Sequence, residues 1–133
     1  MSKYARKLHS VEHLGTDNYR LIELISLLQD SIANRTGSAA IGHVLKELVE
    51  YSRNHFPAEE ELMKRCQYVE YERHRAKHQE FTKQVTSILL RLKKDKEVTV
   101  YELISLLRKW VDDHLIIEDL KFKRAMESQT VNI

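Results

Sequence analysis

Six residues in this chain have the types and spacing of a metal site. His55 and Glu59 stand four apart, His74 and His78 stand four apart, and His114 and Asp119 follow toward the C-terminal end. Residues four apart share one face of a helix about one turn from each other, so each pair can aim two ligands at the same point. Between the pairs lies a helix-poor break, Lys64-Arg65-Cys66-Gln67-Tyr68. A chain reversal there turns the first pair toward the second. Four imidazoles and two carboxylates with no thiolate form a donor set for a first-row transition metal.

The elements that must carry these residues follow from apolar periodicity. Leu21, Leu24, Ile25, Leu28 and Ile32 recur at helical spacing. Before them, Gly15-Thr16-Asp17-Asn18 reads as a loop with Thr16 or Asp17 as N-cap. Asn18 falls on the inward stripe of that helix. Asn34-Arg35-Thr36-Gly37-Ser38 is a turn. A second helix, from near Ser38 or Ala39, has the stripe Ile41, Val44, Leu45, Leu48, Ser52, His55, Glu59, Leu62. Pro57 inside it predicts a kink or local widening. The third stripe is His74, His78, Phe81, Val85, Ile88, Leu92, and Lys93-Lys94-Asp95-Lys96 is a turn without glycine. The fourth helix runs from about Val98 or Thr99 through Leu103, Leu106, Leu107, Trp110 and His114. The expected fold is all-α, an up-down-up-down antiparallel four-helix bundle with an N-terminal arm. It is one domain over 1–133, with residues 1–17 as the arm and 128–133 as a frayed tail.

Helix length tests the metal reading separately. With turn centres near 36–37, 66 and 96, His55 lies about 11 residues before the second turn, and His74 and His78 about 8 and 12 after it. His78 and His114 lie about 18 residues either side of the third turn. At about 1.5 Å per residue, all four histidines reach similar heights, each on an apolar stripe. A lone inward histidine is more often a satisfied core residue, and Glu59 or Asp119 alone more often belongs to a solvated face. Six such groups together would leave buried polar atoms with no cation to pair them, which is costly. His9, His13 and His43 lack this geometry and read as ordinary residues. Trp110 reads as a core residue lining the site, and Cys66 as a bystander in a turn.

Composition bounds the remaining classes. The 133 residues include only three glycines and one proline, which favours helix. The formal charge of +2 comes from interspersed acids and bases and does not indicate a nucleic-acid surface. A single cysteine excludes an internal disulfide and fits a reducing compartment. No apolar run reaches membrane length, and the basic start MSKYARKLHS lacks the apolar stretch of a secretory signal. The expected setting is the cytoplasm. A single-domain length implies that any signalling output runs through association with a protein partner, which the sequence does not name.

The motifs His55-Phe56-Pro57-Ala58-Glu59-Glu60-Glu61-Leu62-Met63, then His74 to His78, then Trp110 to Asp119, carry a family resemblance. Together, over about residues 15–123, the chain resembles the hemerythrins, and specifically the bacterial ones (bacteriohemerythrins). The resemblance implies a bundle holding two non-haem, carboxylate-bridged iron ions and binding molecular oxygen reversibly. In that pattern Glu59 and Asp119 bridge the irons, His74, His78 and His114 complete one iron, and His55 binds the other, where oxygen enters.

One position departs from the pattern. The family has a further histidine on the first helix, and alignment of Leu21-Ile22-Glu23-Leu24-Ile25 puts Asn18 there. Asn18 and His55 lie at matching heights either side of the first turn. A neutral carboxamide oxygen is a poor substitute for imidazole. The second iron then keeps His55, the two bridges, and Asn18 oxygen or water. His13, five residues upstream, is a rival for the vacancy; Tyr19 points away on helical geometry. An oxygen-binding protein, rather than an enzyme, is the favoured expectation for storage, delivery or sensing. The alternatives are a di-iron oxidase or peroxidase using the extra open position left by Asn18, and a protein holding a single metal ion.

Overall fold

The computed structural model describes the backbone of residues 3–131 and the side chains of residues 17–128. The chain folds into α1 (Lys3–Asn34), α2 (Gly37–Arg65), α3 (Tyr71–Lys93), α4 (Val100–Trp110) and α5 (Leu120–Val131). A π-helical segment, Val111–Asp119, joins α4 to α5, so residues 100–131 form one continuous rod. The expected all-α four-helix bundle is the architecture found. α1 packs on α2 and α4, and α2 packs on α3.

The three chain reversals are built alike. Arg35, Gln67 and Asp95 take the left-handed backbone conformation, with φ of 57, 53 and 56°. After each, a backbone N–H donates to a carbonyl five residues back: Thr36 to Ser31 at 3.0 Å, Tyr68 to Met63 at 2.9 Å, and Lys96 to Arg91 at 2.9 Å. These bonds satisfy carbonyls that a helix end otherwise leaves open. Gly37 has a packing role, since a Cβ there would lie 3.1 Å from Cγ2 of Val100. At the start of α4, Thr99 is an N-cap whose hydroxyl accepts from the Glu102 N–H at 3.2 Å.

Three expectations differ from the structure. The loop and N-cap anticipated at Gly15-Thr16-Asp17-Asn18 are helical backbone, and the arm is a continuation of α1 back to Lys3. The segment KYARKLHSVEHL contains neither proline nor glycine, so helical hydrogen bonding extends through it and Thr16 and Asp17 lie inside the helix, not at its start. The widening anticipated at Pro57 is absent, because α2 stays α-helical throughout; the widened turns lie at Val111–Asp119 instead. Ile32, placed on the inward stripe, is 41% exposed, because it lies in the last turn of α1, where the bundle ends.

The core divides in two. The larger part holds Leu24, Leu28, Leu45, Leu48, Phe81, Val85, Leu103 and Leu107. A smaller one holds Leu62, Met63, Phe122 and Met126. Along α2, His55 and Glu59 fall between the two, and along the fourth rod His114 and Asp119 do so. A polar layer therefore crosses the bundle between two apolar ones. No helix among the described residues is long and apolar enough to cross a membrane.

Candidate metal centre

α2 brings His55 and Glu59 inward one turn apart, and α3 does the same for His74 and His78. All four are buried. The fourth rod brings in His114, also buried, and Asp119, whose side chain is 11% exposed. His114 and Asp119 are five residues apart. On an α-helix a five-residue step leaves two side chains about 140° apart around the axis. A π-helix bonds residue i to i+5, so five-residue neighbours stack. The π-helical geometry of Val111–Asp119 thus sets both on one face, and Nε2 of His114 lies 3.1 Å from Oδ1 of Asp119.

The six residues sort into two overlapping groups whose donor atoms lie within 4.8 Å of one another: Glu59, His74, His78 and His114, and then His55, Glu59 and Asp119. Glu59 belongs to both. Its Oε1 lies 2.6 Å from Nε2 of His74 and 3.0 Å from Nε2 of His78, while Oε2 lies 3.5 Å from Nε2 of His55. Asp119 also divides its oxygens. Oδ1 lies 3.1 Å from His74 Nε2, and Oδ2 accepts a hydrogen bond from Asn18 Nδ2 at 3.2 Å.

Several donor atoms here have no hydrogen-bond partner among the described residues. They include Nε2 of His55, His78 and His114, and Oδ1 of Asp119. An unsatisfied buried polar atom costs roughly 1–3 kcal/mol. These atoms lie near carboxylate oxygens without the geometry of a hydrogen bond, as donors around a shared cation do. The residues present therefore fit a metal ion in each group.

The rings are held from behind. Asp17 Oδ2 lies 3.2 Å from Nδ1 of His55, and Glu60 Oε2 lies 2.9 Å from Nδ1 of His78. Such bonds orient a metal-binding imidazole and fix which nitrogen faces inward. Aromatic faces add to this. Tyr51 stacks on His55 at 4.5 Å, Phe56 on His78 at 4.0 Å, and Trp110 on His114 at 3.8 Å. Next to Asp119, Glu118 is buried and pairs outward with Arg73 at 2.9 Å and Lys77 at 3.4 Å.

In the metal-free cluster, burial and neighbouring charges set the ionisation of each group in opposition. Burial disfavours the charged form of His55, but the neighbouring Asp17 and Glu59 carboxylates outweigh it and raise the ring to about 9. For His74, burial is likewise overcome by Asp119 and Glu59, again to about 9. Burial would raise Glu59, yet the facing His55, His74 and His78 hold it well below the usual carboxylate range. Burial lowers His114. Burial also pushes the Tyr51 phenol well above its ordinary value.

The structure thus assembles all six residues anticipated as ligands. It also shows residues that sequence reasoning passed over: Asp17, Tyr51, Glu60 and Glu118. Asp17 had drawn notice only as a helix cap and Glu60 only as part of a motif; Tyr51 and Glu118 looked like any aromatic or polar position beside a stripe. Asn18 faces the site, but its carbonyl oxygen accepts from the Tyr51 hydroxyl at 2.8 Å, so the oxygen offered as a ligand is already engaged. The side chain of His13 lies outside the described residues.

Comparison with known proteins agrees with this geometry. Residues 9–126 match the family described as the Hemerythrin HHE cation binding domain. A bacteriohemerythrin of Pseudomonas paraeruginosa (strain DSM 24068 / PA7) is 30% identical over 116 residues, covering 87% of this chain and 74% of that protein. A bacteriohemerythrin of Stenotrophomonas maltophilia (strain R551-3) is 29% identical over 109 residues, covering 82% of this chain and 70% of its own. No solved structure matches the chain.

Proposed function

The chain belongs to the hemerythrin family, and from that premise we propose that it is a non-haem di-iron protein that binds oxygen reversibly, for storage, delivery or sensing. The observation that carries the proposal is the division of Glu59: its two carboxylate oxygens face two different imidazole groups. That is the arrangement a bridging carboxylate needs. In this reading Glu59 and Asp119 would be shared between the two ions, His74, His78 and His114 would hold one of them, and His55 would hold the other. Bound iron would supply the redox chemistry that reversible oxygen binding needs.

The protein's own contribution is to hold this donor set and shield it. Three imidazoles would hold one ion and a single imidazole the other, so the less crowded side of the site is that of His55. Tyr51, Phe56 and Trp110 cover three ligand rings with aromatic faces and limit the approach of water. The single cysteine fits a cytoplasmic setting.

A second reading rests on Asn18. With its oxygen bonded to Tyr51, the His55 position lacks one nitrogen ligand and has room for a second exchangeable group. That opening suits oxidase or peroxidase chemistry.

Anaerobic reconstitution with iron, metal counting and absorption spectra under alternating air and nitrogen test the proposal. The expected result is two irons per chain, the second held more weakly, with spectral changes that reverse on each cycle. One iron per chain at saturating supply would overturn the two-metal reading. Peroxide-dependent turnover of a reducing dye, without a reversible spectral change, would favour the enzyme.

A further inference from the structure

Four side chains from three helices form a hydrogen-bonded line ending at the second metal position. The Trp110 Nε1–H donates to the Tyr51 hydroxyl at 3.5 Å, the Tyr51 O–H donates to Asn18 Oδ1 at 2.8 Å, and Asn18 Nδ2 donates to Asp119 Oδ2 at 3.2 Å. The chemistry of the two ends sets the direction of the line. Indole N–H can only donate, and an ionised carboxylate can only accept. Turning the Asn18 amide over would set its oxygen against Asp119 Oδ2, two acceptors facing each other. It would also leave the Tyr51 hydroxyl without its acceptor. Since amide orientation is settled by its hydrogen-bond network, Asn18 is held with its nitrogen toward the site.

We propose that Asn18 is a positioning residue that serves the second metal position as a hydrogen-bond donor to Asp119, locked in that orientation by Tyr51, and not as a metal ligand. This rests on the two-metal reading above. An amide nitrogen carrying two hydrogens has no lone pair to give a cation, so His55 is the sole nitrogen ligand of its position among the described residues. Tyr51 then acts as a latch. It keeps the one atom of Asn18 able to bind a cation, its carbonyl oxygen, turned away.

The latch makes a prediction of unusual sign. Tyr51→Phe, which keeps the ring stacked on His55, frees the amide to turn its oxygen inward, and the second ion should bind more tightly. Ferrous iron is titrated anaerobically into the full-length protein, its Tyr51→Phe and Asn18→Ala variants, and the double variant. The expected result is a gain of about threefold or more for the second ion in Tyr51→Phe, cancelled in the double variant, and a loss of about threefold or more in Asn18→Ala alone, as Asp119 loses its donor. The emission of Trp110, the only tryptophan, should shift in metal-free Tyr51→Phe as the indole loses its acceptor. A Tyr51→Phe variant that binds the second ion no more tightly than the original protein, beside a loss in Asn18→Ala, would show that Asn18 oxygen is already a ligand and overturn the proposal. An original protein that binds one iron at saturation would instead remove the two-metal reading, and the proposal with it.

Discussion

Oδ2 of Asp17 lies 3.2 Å from Nδ1 of His55, across the α1–α2 interface. The bond leaves Nε2 of that ring facing Glu59. Because His55 is the sole imidazole of its group among the described residues, its orientation bears on that position alone. Asp17→Ala should therefore weaken the second iron by roughly 10–100-fold, the usual effect of losing such a partner, and leave the first in place. Anaerobic iron titration reads both. Equal loss of both irons would show that Asp17 supports the bundle generally.

The three-histidine group should behave as a unit. His74→Ala or His78→Ala should strip the metal and lower the melting temperature of the iron-loaded protein, since a bound ion stabilises the state that binds it. Metal analysis with calorimetry checks this. Unchanged iron content and melting temperature would mean that these rings are not ligands.

Glu118 and Asp119 are adjacent acids with opposite duties. Glu118 faces Arg73 and Lys77, whereas Asp119 faces His74 and His114. Glu118→Gln should lower stability by about 1–3 kcal/mol, by removing the charge that a buried pair needs, and should keep both irons. Asp119→Asn should lose iron. Urea denaturation and metal counting on the two variants separate the effects.

The metal-free protein should lose stability as pH rises through the neutral range. His55 and His74 are both raised to about 9 from 6.5. A proton bound more tightly in the folded state stabilises it fully below pH 6.5, and that stabilisation is lost as pH rises through about 9. His114, lowered by burial, acts in the other direction and below pH 6.5, outside this window. The metal-free melting temperature should fall by about 5 °C or more between pH 6.5 and 9. Iron uptake should strengthen over the same range, because metal displaces those protons. A flat calorimetric profile would show that the two rings are not charged in the metal-free fold.

Asn18→His should tighten the second iron. Position 18 already reaches Asp119, and imidazole is a stronger donor to iron than a carboxamide. If His13 fills the vacancy instead, Asn18→His should be silent and His13→Ala should release the second iron. Iron titration of the two variants decides between them.

The sequence by itself determined the bundle and the two ligand pairs on α2 and α3. Their four-residue spacing matches the α-helical period, and their apolar neighbours mark the inward face. Equal distances from the turns placed the histidines at one height, since rise per residue is constant along a helix. Arg35, Gln67 and Asp95 fall in stretches that read as turns from their polar composition, although a left-handed backbone at a non-glycine residue was not legible there. The start of α1 was misread because Thr16 and Asp17 have good capping chemistry, and capping preference is local.

Tertiary structure decided the rest. The five-residue interval between His114 and Asp119 faces one way only on a π-helical segment, and no local residue preference announces that geometry. Asp17, Tyr51 and Glu60 meet their partners across helix interfaces, at separations of 38, 33 and 18 residues. Nothing in a one-dimensional pattern distinguishes such a residue from a solvated neighbour. The orientation of Asn18 needed more still. It follows from a donor on α4, a hydroxyl on α2 and a carboxylate at the end of the π-helical segment acting together, because a hydrogen-bonded line takes its direction from both ends.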